Sequence, residues 1–134
     1  MIEMNDFFKA VTAFFCTAFS FVFGNMDGMF IALIALIVLD YISGVIAAIA
    51  EKNLSSAVGA KGIAKKLFML LIVAVANIVD INVIGEGHVL RTVTTIFYIA
   101  NECISLIENA GRLGVPVPKK LMDVLEQLKN KDDK

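Results

Sequence analysis

Residues 28–50 read GMFIALIALIVLDYISGVIAAIA, twenty-three residues with a single charge, Asp40. About 20 apolar residues cross the hydrocarbon of a bilayer, so this run alone makes a water-soluble fold an unlikely destination and a membrane helix the direct one. The rest of the chain agrees. Hydrophobic residues make up 58% of the 134 positions, charged residues only 19%, and mean hydropathy is +0.79. Ordinary soluble domains carry about a quarter charged residues. That composition excludes disorder. Two cysteines exclude a disulfide scaffold. A net charge of −1 provides no basic field for nucleic acid.

Three further apolar blocks follow the same logic. Residues 67–85 carry one charge, Asp80. Residues 89–109 are more polar, with Arg91, Glu102 and Glu108. Each such charge at a helix centre costs about 2.5–3.5 kcal/mol on an insertion scale, so this block needs neighbours to shield it. Residues 7–23 hold seven of the ten phenylalanines, with Lys9, Thr12, Cys16, Thr17 and Ser20 on one helical face. Three readings of this block stay open: a short spanning helix, a helix lying in the interface, or a cleaved signal. Against the last, Glu3 and Asp6 spoil a positive n-region.

The expectation is therefore an all-α, small multi-pass membrane protein of three to four transmembrane helices, near 7–23, 28–50, 63–84 and 89–109, in a domain covering 1–111. A tail, 112–134, carries a short amphipathic helix near 118–130. There Pro118 suits a first helical position, and Leu121, Val124, Leu125 and Leu128 share one face. Residues 129–134 read as a solvated end.

Positive residues set orientation. Lys52, Lys61, Lys65 and Lys66 crowd the 51–66 loop, and Arg112, Lys119 and Lys120 open the tail, whereas the 24–27 and 84–88 turns have no Lys or Arg. The basic segments are expected at the cytoplasmic membrane surface, with the C-terminus cytoplasmic.

Ionisable groups inside a membrane mark function or assembly. Asp40 is one. A stripe on 89–109 is another: Arg91, Thr95, Tyr98, Glu102, Ser105 and Asn109 recur at spacings of four, three, four, three and four, with Asn101 and Glu108 beside them. Two readings are open. The stripe lines a pore or a subunit interface, because so few helices can hardly cover it, or it closes inside a compact bundle. Asp40 has the same two readings, with Tyr41, Ser43 or Asn77 as bundle partners. Ser43, Gly44, Ala47 and Ala48 form small-xxx-small pairs suited to close helix packing. Asp80 and Arg91 are expected to pair. One histidine, His88, provides neither a metal cluster nor a Ser–His triad, so no catalytic residues, metal site or cofactor are expected.

LDYISGVIAAI (39–49), SSAVGAKGIAKK (55–66), FYIANECISLIENAGRLGVPVPKKL (97–121) and DVLEQL (123–128) resemble the toxin-secretion/phage-lysis holin family. The resemblance places emphasis on Asp40, Gly44, Gly62, Lys66, Asp80, Asn101, Glu102, Glu108, Asn109, Gly114, Pro116 and Pro118. It implies a protein of the bacterial cytoplasmic membrane that forms homo-oligomers and opens lesions. A cytoplasmic murein hydrolase or a large toxin escapes through them. Two rivals are a small-solute channel or transporter, and an antiholin or other regulatory membrane partner.

Overall fold

The computed structural model describes residues 3–132, and side chains to residue 130, so part of the solvated end expected at 129–134 lies outside the described residues. Every regular element among them is helical: α1 (Met4–Phe23), α2 (Gly28–Ala50), α3 (Ser56–Val79), a π-helical turn (Asp80–Ile84) continuing α3, α4 (Val89–Arg112) and α5 (Lys119–Asp132). The all-α multi-pass expectation holds. Three helical stretches are long and apolar enough to cross a membrane: α1, α2, and α3 with its π turn. Helix α4 is the more polar centrepiece, packing on α2 most extensively and also on α3 and α5.

The basic segment before residue 67 differs from the loop expected there. Helix α3 begins at Ser56, whose predecessor Ser55 caps it by accepting the Val58 N–H. Alanine and lysine favour helix enough to outweigh Gly59 and Gly62. The helix expected from about 63 thus starts seven residues earlier, taking in Lys61 along with Lys65 and Lys66, while Lys52 lies in the turn with φ 55°.

Burial is inverted relative to a soluble protein. Asp40, Asn77, Asp80, Arg91, Thr95, Glu102 and Asn109 are buried, while Phe8, Phe14, Phe15, Ile31, Ile42, Ile46, Phe68 and Val75 are exposed. In water this surface would be a very large apolar patch. In lipid it is the correct outer face, with polar groups turned inward to partners. The apolar core is small. Phe30, Leu33 and Val73 are fully buried, with Phe19, Phe23, Leu70 and Tyr98 packed around them. Helix α5 inserts Leu125 against the bundle. Its Lys119 and Lys120 remain exposed.

A buried polar axis between two charged centres

Two polar centres lie at opposite ends of the bundle. The first forms where α2, α3 and α4 meet. Asp40 is ten residues from Ala50, Lys66 ten residues from Ser56, and Glu102 ten residues from Arg112. At 1.5 Å per residue, all three stand about 15 Å below the same end of the bundle. The Lys66 ammonium donates to Asp40 Oδ2 and to Glu102 Oε2, both at 2.6 Å. Their side chains are only 16%, 6% and 6% exposed. These are charge-assisted bonds. Two carboxylates face one ammonium, leaving one formal negative charge uncovered inside an apolar bundle.

The centre extends toward the α2–α3 turn. Asn109 turns its amide NH₂ to Asp40 Oδ1 at 3.1 Å and to Ser43 Oγ at 2.9 Å. Gly44 lies on the same face, where a Cβ would make an ordinary 3.6 Å contact with that amide nitrogen. Ala47 is fully buried beside it. Arg112 donates to Asn109 Oδ1 and grips both Glu51 oxygens at 3.0 and 2.8 Å. That pairing holds the Glu51 carboxyl below its ordinary range. Of the four small residues on α2, Ala47 is buried, while Gly44 and Ala48 line a crevice toward α3.

The second centre surrounds Arg91. Helix α1 ends with carbonyls that no further turn can satisfy. Asn77 Nδ2 donates to Phe21 O and Val22 O, and Arg91 Nε donates to Phe23 O at 2.7 Å. Arg91 also donates to Asn25 O and forms an ion pair with Asp27 at 2.7 Å, its guanidinium 5.6 Å from the Phe30 ring centre. Asp27 caps α2 through the Phe30 N–H. That bond first, and Arg91 second, hold its carboxyl below the ordinary range. Gly24 is required here. Its φ is 81°, and a Cβ would meet Asn77 Oδ1 at 2.7 Å and Arg91 Nε at 3.0 Å. Asn77 Oδ1 itself is buried without a partner among the described residues.

The expected side-chain pair of Asp80 with Arg91 is not what forms. Asp80 accepts the backbone N–H groups of Leu90 and Arg91 at 3.1 and 2.8 Å. His88 makes no side-chain cap, so the π turn delivers Asp80 as a cap from another element. The Arg91 guanidinium is left to reach Asp27.

Within the single chain, the α4 stripe divides. Arg91, Thr95, Glu102 and Asn109 are buried, Arg91 reaching the α1–α2 turn, Glu102 reaching α3 and Asn109 reaching α2; Tyr98, Asn101 and Ser105 are half-buried; Glu108 is exposed. Thr95 is satisfied by its own helix, donating to Arg91 O at 2.6 Å. Lys66 departs from the membrane-surface role expected of it, because its side chain turns inward to the two carboxylates. The ten-residue offset that places it becomes countable only once Ser55 is recognised as the cap of α3. Lys52, Lys61, Lys65 and Arg112 are exposed. Sequence reasoning missed Gly24, Asp27 and the capping role of Asn77. Asn77 points to α1 and not to Asp40.

Comparisons with known proteins converge. The bacteriophage holin family model matches residues 17–130. A probable holin of Bacillus phage phi105 is 34% identical over 114 residues, covering 85% of this chain and 83% of that protein. A 14.9 kDa protein from the nagH 3′ region of Clostridium perfringens is 43% identical over 115 residues, covering 86% and 87%. A protein of Listeria monocytogenes, Lmo0128, is 40% identical over 111 residues, covering 83% and 79%. No solved structure matches.

Proposed function

We propose that this chain, which belongs to the bacteriophage holin family, assembles into homo-oligomers in a bacterial cytoplasmic membrane and opens lesions that release an endolysin or a toxin. Family membership points to a non-enzymatic, pore-forming protein. The observation that carries the reading further is the Asp40–Lys66–Glu102 centre, an ionic cluster hidden inside helices whose outer faces suit lipid. Such a chain inserts with Lys66 bonded to both carboxylates and the cluster screened from lipid by the surrounding helices. Helix rearrangement on assembly then turns Asp40, Glu102 and the rest of the α4 stripe from internal partners to a wet lumen or a subunit interface. Potential adds leverage, at about 2.3 kcal/mol per elementary charge per 100 mV fully crossed.

The proposed topology puts the α2–α3 turn, Arg112 and α5 in the cytoplasm, following the positive residues. The test is expression in bacteria with and without a signal-less cytoplasmic murein hydrolase, following turbidity, membrane potential and released cytoplasmic protein together. Abrupt depolarisation, with lysis only when both proteins are made, supports the proposal. Depolarisation without protein release replaces it with a small channel. Correct insertion with no permeability replaces it with a regulatory partner.

A further inference from the structure

Helices α2 and α3 are joined by a short turn yet touch little along their length. A crevice runs between them in two parts. The part near the turn encloses about 870 Å³, within the roughly 300–1,000 Å³ of small-molecule sites. Gly44 and Ala48 of α2 and Gly59 of α3 keep it wide, and Lys65 and Arg112 line it. The second part, about 230 Å³, continues deeper along the same two helices. Its walls include Ile37, Val38, Leu67 and Leu70, and it shares Tyr41, Ile63 and Lys66 with the first. The wide end is lined by Asp40 as well as by Lys65, Lys66 and Arg112, and the narrow end is apolar.

Charge picks the occupant. Lys66 is consumed by Asp40 and Glu102, and Arg112 by Glu51. Lys65 lines the crevice with no ion-pair partner among the described residues. It stands nine residues into α3, about 13 Å below the helix start, level with Tyr41 and Asp40 of α2. An ammonium at that depth calls for an anion, and the walls below it call for hydrocarbon. We propose that the α2–α3 crevice binds one anionic phospholipid, its phosphate at Lys65 and an acyl chain along Val38, Leu67 and Leu70. Basic pockets between membrane helices take anionic head groups in this way.

The inference rests on the membrane placement in the proposed function and not on lesion formation, so the two fail separately. The full chain, purified in detergent, is exchanged into mixed micelles holding equal amounts of phosphatidylglycerol and phosphatidylcholine with identical chains. Retained lipid is then counted by native mass spectrometry. We expect phosphatidylglycerol retained over phosphatidylcholine by about fivefold or more, the effect of one nearby basic residue. Lys65→Gln, on an exposed side chain, removes that preference and leaves phosphatidylcholine retention unchanged. Gly59→Leu fills the wide end and lowers both, with helicity by circular dichroism confirming the fold. Equal retention of the two lipids by the unaltered chain overturns the proposal, as does a preference that survives Lys65→Gln. A dimer that carries no lipid and is lost in Gly59→Leu assigns the crevice to a second copy, and overturns it too.

Discussion

Lys66 Nζ lies 2.6 Å from Asp40 Oδ2, and the two residues stand at matching depth because each is ten positions from its own end of the α2–α3 turn. Antiparallel helices make such pairs predictable by counting. Glu102, ten positions from the end of α4, completes the same level. The asymmetry of two carboxylates against one ammonium ranks the substitutions. Lys66→Met leaves two buried carboxylates facing each other, and breaking a buried pair in this way is expected to destabilise the chain by about 3–5 kcal/mol. Asp40→Asn keeps the Lys66–Glu102 bond and removes the uncovered charge, so its effect is expected to be less than about half of that. Denaturant titrations of both variants in the same detergent check the order. Equal losses would show that the charge excess is immaterial.

Gly24 faces a separate constraint. Its φ of 81° and ψ of −163° fall in a region that is essentially glycine-only, with a cost of about 1–3 kcal/mol for other residues. A Cβ also enters the space of Asn77 Oδ1. Gly24→Ala is expected to release the end of α1 from Asn77 and Arg91. Cys16 is already exposed, so the sensitive readout is limited proteolysis in the 24–27 turn, which should speed up markedly relative to the unaltered chain. An unchanged cleavage rate would contradict the clamp.

Acid should weaken the same end of the bundle. The Asp27 carboxyl is held below its ordinary value of 3.8 by the Phe30 N–H and by Arg91. A group depressed in the folded chain contributes stability that is fully present above its unfolded value and is lost as pH falls through the folded one. The Asp27 contribution should therefore persist at neutral pH and disappear below about pH 4. Thermal midpoints of the chain and of Asp27→Asn, measured from pH 7 downward, should converge in that acid range. Midpoints that stay parallel to the lowest pH would remove Asp27 from the account.

Topology follows from the basic residues. In a chain carrying Cys16→Ala and Cys103→Ala, a thiol introduced by Lys52→Cys is expected to react with an impermeant maleimide only after the cells are opened. One introduced by Glu86→Cys should react in intact cells. Both thiols reacting from the same side would contradict an odd number of crossings between them.

The lengths of α2 and α4, the amphipathic face of α5 and the inward-facing polar positions Asp40, Glu102 and Asn109 were legible in the sequence, because periodicity and isolated charges in apolar runs are local signals. What escaped was relational. The start of α3 at Ser56 hid behind Gly59 and Gly62, which look like loop until Ser55 is recognised as a cap. Asn77 and Arg91 were legible as polar residues in apolar helices, but their partners are backbone carbonyls of α1, some 55 to 68 positions away. Backbone acceptors leave no mark in the sequence. Asp80 escaped in the same way, since it binds the Arg91 main chain where side-chain charges had suggested an ion pair.

In the proposed function, the Asp40–Lys66–Glu102 centre stays closed in the inserted chain and its opening sets when a lesion forms. The most direct test is the onset of cytoplasmic protein release from cells making a cytoplasmic murein hydrolase together with either the unaltered chain or Asp40→Asn, with membrane levels matched by quantitative immunoblot. The account predicts earlier release with Asp40→Asn, because one of the two bonds that close the centre is weakened. The same onset for both chains, at equal membrane levels, would contradict it.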